Sequence, residues 1–341
     1  MNANPRAGGL GARWLIVALY AASGLVYAQN SPGVATMPPA RPSAELGVGG
    51  WLERIHQASK QRAYTGTFVV SSGDDMAVSK IWHVCDGVQQ FVKIETLTGT
   101  PRTTLRRNDE VMTFIPDQKL VLRDRRESLR VFPDLLQAPD RRIEAFYTAR
   151  VNGAERVAGF DAAVVDFVPK DALRYAYRIW SEQKTGLVVK IQTRNSTGQV
   201  LEQIAFTELQ FDTSLRMEAM ASQMANTAGF QVVEPGLRKA NPETLGWRMR
   251  TDVPGFQPMS SYTRTDNPGR SAVQWVFSDG LASVSLFLEN YDAQRHLKER
   301  SSADGATHSV SRRVGDYWVT ALGEVPVDTL ALFIQSLERT R

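Results

Sequence analysis

The chain has 341 residues, 43% of them apolar and 22% charged, with a formal net charge of +4. This composition excludes a disordered or collagen-like chain, and the length points to two domains rather than one. Its single cysteine, Cys85, excludes an internal disulfide, so packing must hold the fold.

The chain opens with an export signal. Arg6 and Arg13 precede the apolar run Trp14–Tyr20, and small residues lead to a cleavage site after Ala28. That run is shorter than the roughly 20 apolar residues of a spanning helix. No cysteine lies near the cut to carry a lipid. Residues 1–28 are therefore expected to be removed, leaving a soluble exported protein. Residues 29–50, rich in Pro, Gly, Ser and Ala, read as a flexible tether.

A helix is predicted over residues 51–62, with Leu52, Ile55 and Ser59 on one face and Ala58 beside them. The apolar period then changes to two. Residues 65–72, 76–84, 89–97, 110–115, 119–123, 162–168, 175–181, 187–194 and 200–209 form short alternating runs bounded by turn residues. Separators such as EQKTG and NSTGQ suit hairpins and are too short for parallel crossovers. An antiparallel meander follows, and it must hide its inner face by closing into a barrel or by wrapping helices. Residues 213–241 lose this pattern. LRMEAMASQMANTAG reads as a short helix or a loose connection, and the rest as an interdomain linker. A second unit spans 242–341. It holds the stretch WVFSDGLASVSLFLE (275–289), a strand at 317–322 and a closing helix after Pro326, with Val327, Leu330, Ile334 and Leu337 on one face.

In WVFSDGLASVSLFLE, Asp279-Gly280 reads as a two-residue type I′ turn. Phe277 then faces Ala282, Trp275 faces Val284 and Val273 faces Leu286, so one side of the hairpin is apolar. That apolar face needs a partner, for which the closing helix is the candidate.

No catalytic or metal-binding constellation emerges. His56, His83, His296 and His308 show no metal-ligand spacing. Phosphate-binding loops and a GxSxG elbow are absent from the sequence. Cys85 and His83 share IWHVCDG, which reads either as a nucleophile with its base or as a buried thiol on a strand. The second is favoured, because nothing supplies an orienting third group. Arginines cluster in PRTTLRRN (101–108), LRDRRESLR (122–130) and PDRRIE (139–144). Acidic residues are interleaved with them, so a solvated surface with local ion pairs is the default, and an anionic partner such as lipid head groups the alternative. Nucleic acid is not expected, and neither is a cofactor.

Several long stretches carry a resemblance. WLERIHQASKQRAYTGTFVV (51–70), YRIWSEQKTGLVVKIQT (177–193), VPGFQP (253–258), WVFSDGLASVSLFLE and RRVGDYWVTALGEVP (312–326) resemble the RseB/MucB family. Members are periplasmic negative regulators of an envelope-stress sigma factor. The resemblance implies an α+β, β-rich chain. Its first domain (51–212) would be an unclosed antiparallel β-barrel over helices, like LolA and LolB, with an apolar cavity. Its second would be a smaller α/β unit. It also implies binding to the periplasmic part of a membrane-spanning anti-sigma factor, shielding of that partner from the site-1 protease, and release by lipopolysaccharide or lipid.

Three functions stay open on the residues alone: a binding regulator, a periplasmic lipid or lipoprotein carrier, and an envelope hydrolase resting on Cys85 and His83. Candidate lipid-cavity residues are Phe68, Val70, Trp82, Phe114 and Trp180, large apolar side chains on predicted strands, with ordinary core as the alternative role. Candidate partner-binding residues are Phe277, Asp279, Gly280, Phe287, Tyr317 and Trp318, since aromatics are enriched at partner surfaces. Phe287 is singled out because alternation puts it on the face opposite Val284 and Leu286. Self-association is left open.

Overall fold

The computed structural model describes residues 18–19, 46–86, 89–125, 128–129, 132, 141–212, 216–234, 236–267 and 270–340. The expected cleavage site and most of the expected tether lie outside them. Within the expected signal, Ala18–Leu19 pair antiparallel with Ser128–Leu129.

Helix α1 (Val48–Gln61) starts three residues before the predicted position and buries Val48, Trp51, Leu52, Ile55, Ala58 and Ser59. These positions recur at three and four residues, so they form one stripe. Around that stripe curls a 12-stranded sheet. Its order runs from Gln231–Val233 through Leu120–Arg125, Glu110–Ile115, Thr103–Arg107, Gln90–Thr96, Asp75–Cys85, Tyr64–Ser72, Val200–Phe211, Val188–Arg194, Ala176–Glu182 and Phe160–Pro169 to Tyr147–Val157. Every pairing is antiparallel except the one joining Gln231–Val233 to Leu120–Arg125. The two edge strands do not meet, so the barrel is unclosed. Register shifts near Val164, in the Trp180–Ser181 and Thr193–Arg194 steps and at Thr207 mark bulges, which bend the sheet around the helix. The edge strand Tyr147–Val157 is mostly exposed and carries Arg150, Glu155 and Arg156, charges that discourage pairing with another chain.

The segment 217–225 is a helix, α2 (Met217–Ala225), rather than a loose connection. Met220 and Met224 bury against Phe91, Leu105, Met112 and Phe114, forming a second core on the face of the sheet opposite α1. The segment expected as a linker thus supplies a helix and an edge strand to the first sheet. Gly236–Lys239 then begins the second sheet by pairing with residues 262–265.

That sheet has seven strands, ordered Gly236–Lys239, Gln257–Asn267, Arg270–Ser278, Ser283–Asn290, Tyr317–Gly323, Thr307–Val314 and Arg300–Asp304. Helix α3 (Val327–Ser336) buries Leu330, Phe333 and Ile334 against it, while Val327 is exposed. The apolar stripe is therefore centred one residue further round than the sequence pattern suggests. In the hairpin the expected alternation is present but the expected turn is not. Phe277 pairs with Val284, Trp275 with Leu286 and Val273 with Leu288, across a four-residue loop, Asp279–Ala282. The cause is side-chain chemistry. Asp279 Oδ1 accepts from the backbone N–H groups of Leu281 (2.9 Å) and Ala282 (2.7 Å). The Ser278 hydroxyl donates to the Ala282 carbonyl at 2.9 Å. A shift of two residues preserves which face each side chain takes.

Gly66 shows how tightly the first sheet is packed. A Cβ there would lie 2.6 Å from the Glu208 carbonyl oxygen and 2.7 Å from the Phe206 ring, beside the bulge at Thr207. We expect Gly66→Ala to lose about 1–3 kcal/mol through overpacking. Urea unfolding of the variant and its parent measures this, and equal midpoints would contradict it.

Candidate functional site at the domain junction

Arg174 lies between Phe160–Pro169 and Ala176–Glu182 in the first domain, and its side chain is wholly buried. Its Nε donates to Asp279 Oδ2 in the second domain at 2.7 Å. Its two terminal nitrogens donate to Asp171 and to the Pro254 carbonyl. The guanidinium carbon sits 4.5 Å from the Phe146 ring centre and 4.9 Å from that of Phe256, one ring from each domain. Asp279 is equally buried. Besides Arg174 it accepts from the Tyr147 hydroxyl at 3.4 Å and from the two loop N–H groups. Each charge therefore meets its counter-charge and further donors or acceptors, the condition under which a buried ion pair is tolerable.

Local sequence builds this socket. Gly255 has φ +83°, and a Cβ there would fall 2.1 Å from an Arg174 nitrogen. Only glycine lets the backbone pass so close to the guanidinium while Val253 and Phe256 on either side stay buried. The domains also exchange leucines. Leu281 of the second domain joins the first core, and Leu173 of the first packs against the second core. Thr329 donates to the Leu173 carbonyl at 2.9 Å, the Tyr175 hydroxyl meets His308 Nδ1 at 3.1 Å, and Ser72 donates to Asp304 at 3.4 Å. Burial, then the neighbouring Asp279 and Tyr177, raises the pKa of Tyr147 well above the usual phenol value. Burial pushes Tyr175 up to about 12.

The structure spreads the sequence-predicted residues widely. Phe68, Val70 and Trp180 belong to the core around α1, while Trp82 and Phe114 belong to the core around α2. They therefore do not line one common cavity. Trp180 donates to Glu155 at 2.8 Å and lies under Lys190, and Trp82 lies under Lys80 and Lys93. A cleft of about 250 Å³ instead opens beside α2, lined by Phe91, Met112, Met224, Val232, Arg107 and Arg123, among others. Of the partner candidates, Phe277 is core against Phe333, Asp279 is the junction carboxylate, and Gly280 faces Ile143 of the first domain. Tyr317 packs edge-on to Trp247, and Trp318 stacks on His296 at 4.8 Å. Phe287 is half-buried, beside Gln274 and Thr320.

Sequence reading missed Arg174, Tyr147 and Gly255. Two signals were available: the glycine in VPGFQP and the acid in the Asp279 turn. Neither reveals a partner 105 residues away. His83 stacks on Tyr64 at 4.9 Å and its Nδ1 meets the Arg62 carbonyl at 2.7 Å, a structural placement. Burial, then Asp86, raises the Cys85 thiol, which works against a reactive thiolate. Among the described residues no group of three or more His, Cys, Asp or Glu is placed to hold a metal ion, and no helix is long and apolar enough to cross a membrane.

Comparison with known proteins matches both halves of the chain. Residues 48–224 fit the MucB/RseB N-terminal domain, and residues 241–338 fit the MucB/RseB C-terminal domain. The sigma factor AlgU regulatory protein MucB of Pseudomonas aeruginosa is 30% identical over 85% of this chain and 90% of its own length. The sigma-E factor regulatory protein RseB of Escherichia coli K12 is 24% identical over 88% of this chain and 93% of its own length. The solved structure of MucB in complex with MucA(peri) aligns with a TM-score of 0.65 and 25% identity, covering 85% of this chain and 98% of that one.

Two outcomes test the junction. Asp279→Ala leaves Arg174 buried with only the partly exposed Asp171 as counter-charge and is expected to cost about 3–5 kcal/mol. The apolar double variant Arg174→Met/Asp279→Leu should recover the part of that loss due to the buried charge, but not the part due to the loop hydrogen bonds that Asp279 accepts, in the same unfolding experiment. The junction should also weaken in alkali. Tyr147 and Tyr175 hold their protons more tightly folded than unfolded, so their contribution is complete below about pH 10, the ordinary phenol value. It is lost as pH rises towards 12 and beyond. Melting temperatures measured from pH 9 upward should fall, and less steeply in Tyr147→Phe.

Proposed function

Because the chain belongs to the MucB/RseB family, we propose that it is a non-enzymatic periplasmic regulator. It binds the periplasmic part of a membrane-spanning anti-sigma factor, shields it from site-1 proteolysis and so restrains the envelope-stress response. One observation carries this reading: the similar chain MucB has been solved in complex with MucA(peri), and the alignment spans both domains of this chain. Lipopolysaccharide or another lipid releases the partner. For that to happen, lipid must favour a domain arrangement that binds the partner poorly, since a ligand shifts an equilibrium only by its differential affinity. The Arg174–Asp279 junction is the structure such a shift has to rearrange.

A carrier of lipid or lipoprotein is the second reading, favoured by the unclosed sheet and the cleft beside α2. The second domain argues against it, because transport needs only the first. Extraction of lipoprotein from inner-membrane vesicles separates the two readings.

The test is equilibrium binding of the mature chain to the periplasmic segment of its anti-sigma factor, with and without a lipopolysaccharide fragment. Binding is expected, weakened about 5- to 150-fold by saturating lipid, the range of an allosteric coupling. Unchanged affinity would remove lipid release, and absence of binding would remove the regulator. Phe287→Ala should weaken this binding more than it lowers the melting temperature.

A further inference from the structure

Arg123 links the cleft beside α2 to the segment that leads into the second sheet. Its Nε and a terminal nitrogen donate to Glu110 Oε1 at 2.9 and 2.7 Å, and its other terminal nitrogen donates to Glu234 at 3.3 Å. Glu234 immediately follows the edge strand Gln231–Val233, and Gly236–Lys239 of the second sheet begins two residues later. The two sheets are therefore joined edge to edge by a strap with two residues between its strands.

The strap is weakly held. Its first strand pairs over only three residues, and its valines Val232 and Val233 are 40% and 38% exposed. Beside that short ladder, its first strand is held by the Arg123–Glu234 pair, the Gln231 N–H on the Lys119 carbonyl at 2.8 Å, and the neighbouring Phe230 against Phe114 at 5.5 Å. Short, exposed edge elements of this kind open locally before the rest of a fold.

Both Arg123 and Val232 line the cleft, whose floor is Phe91, Met112 and Met224. At about 250 Å³ it is smaller than the roughly 300–1,000 Å³ of a pocket that encloses a whole small ligand. It thus suits the end of a single alkyl chain. Arg107, also on the rim, is held by the neutral amide oxygen of Gln89 at 2.9 and 3.2 Å. An anionic head group at the mouth therefore meets two guanidinium groups above an apolar floor, with the Glu110 carboxylate, also on the rim, still paired to Arg123.

We propose that Arg123 is a switch: a single-chain alkyl phosphate in this cleft takes Arg123 from Glu234, frees the Gln231–Val233 strand and loosens the edge of the second sheet. This rests on the lipid-release reading above and gives it a route. Chain and charge act together, the alkyl chain pressing on Val232 and the phosphate competing for the guanidinium.

Amide hydrogen exchange at residues 237–239 is the measurement, on the mature chain and on Glu234→Gln, with dodecyl phosphate, inorganic phosphate or dodecyl maltoside. Glu234→Gln alone should speed exchange there about two- to fivefold, the size expected for losing one exposed ion pair, and leave residues 319–321 unchanged. Dodecyl phosphate should do the same to the parent, and by linkage should bind the variant more tightly than the parent. Parental exchange rates in Glu234→Gln, or equal dodecyl phosphate affinity in both proteins, would overturn the switch. A matching response to inorganic phosphate or to dodecyl maltoside would also overturn it, by removing the need for a charged head on an alkyl chain. Dodecyl phosphate binding to neither protein would sink the cleft as a lipid site, whereas lipopolysaccharide releasing the partner with unchanged exchange at 237–239 would sink the strap alone.

Discussion

A guanidinium and a carboxylate with no contact to water organise this molecule. Arg174 and Asp279 come from different domains, and both side chains are wholly buried. Isolated, either charge would be untenable in a protein interior. The pair persists because the surroundings satisfy it, through the Asp279 loop amides, the Tyr147 hydroxyl, Asp171, the Pro254 carbonyl and two aromatic faces. The socket exists only when the domains are docked. Its geometry therefore fixes their relative placement more sharply than apolar contact alone, which is not directional.

The first domain covers its curved sheet from both sides. Helix α1 fills one face, and the shorter, methionine-rich α2 packs on part of the opposite face, since the neighbours Phe91 and Val92 of one strand point into different cores. This changes what an apolar residue on a strand means. Phe68 and Trp180 are large and inward, yet they serve as packing for α1. The cleft lies at the border of α2, where two methionines with flexible side chains meet a three-residue edge strand. Methionine adapts to irregular surroundings better than branched side chains do. The most adaptable packing of the first domain therefore sits beside its connection to the second.

Two of the places where the domains are joined are unlike. One is the Arg174 socket, deep, charged and fully satisfied. The other is the strap from Gln231 to Lys239, shallow, exposed and pinned by few contacts. A regulator that must hold one arrangement and leave it on a signal needs both kinds of contact. The socket sets a definite closed state, and the strap offers a point where a modest free energy acts.

The sequence by itself determined what depends on local spacing. The period-two runs marked nine strands of the first sheet and, in the second, the hairpin and the strand at 317–322, but not Thr103–Arg107, Tyr147–Val157, Gln257–Asn267 or Thr307–Val314. The three- and four-residue spacing of Leu52, Ile55 and Ser59 marked α1, and alternation assigned the faces of the 275–289 hairpin correctly. Composition and motif content left a regulator, a carrier and a hydrolase open, and long ordered stretches identified the family. Tertiary structure alone decided the rest. The Asp279 loop is four residues long because its carboxylate caps two backbone amides and is then held by an arginine 105 residues away. No local rule couples those positions. Gly66 is glycine because the Phe206 ring and the Glu208 carbonyl lie over it, neighbours from a strand some 140 residues away that no local spacing reveals. Residues 213–241 read as a linker because their helix and edge strands are short, and short elements gain their stability from the surfaces they meet.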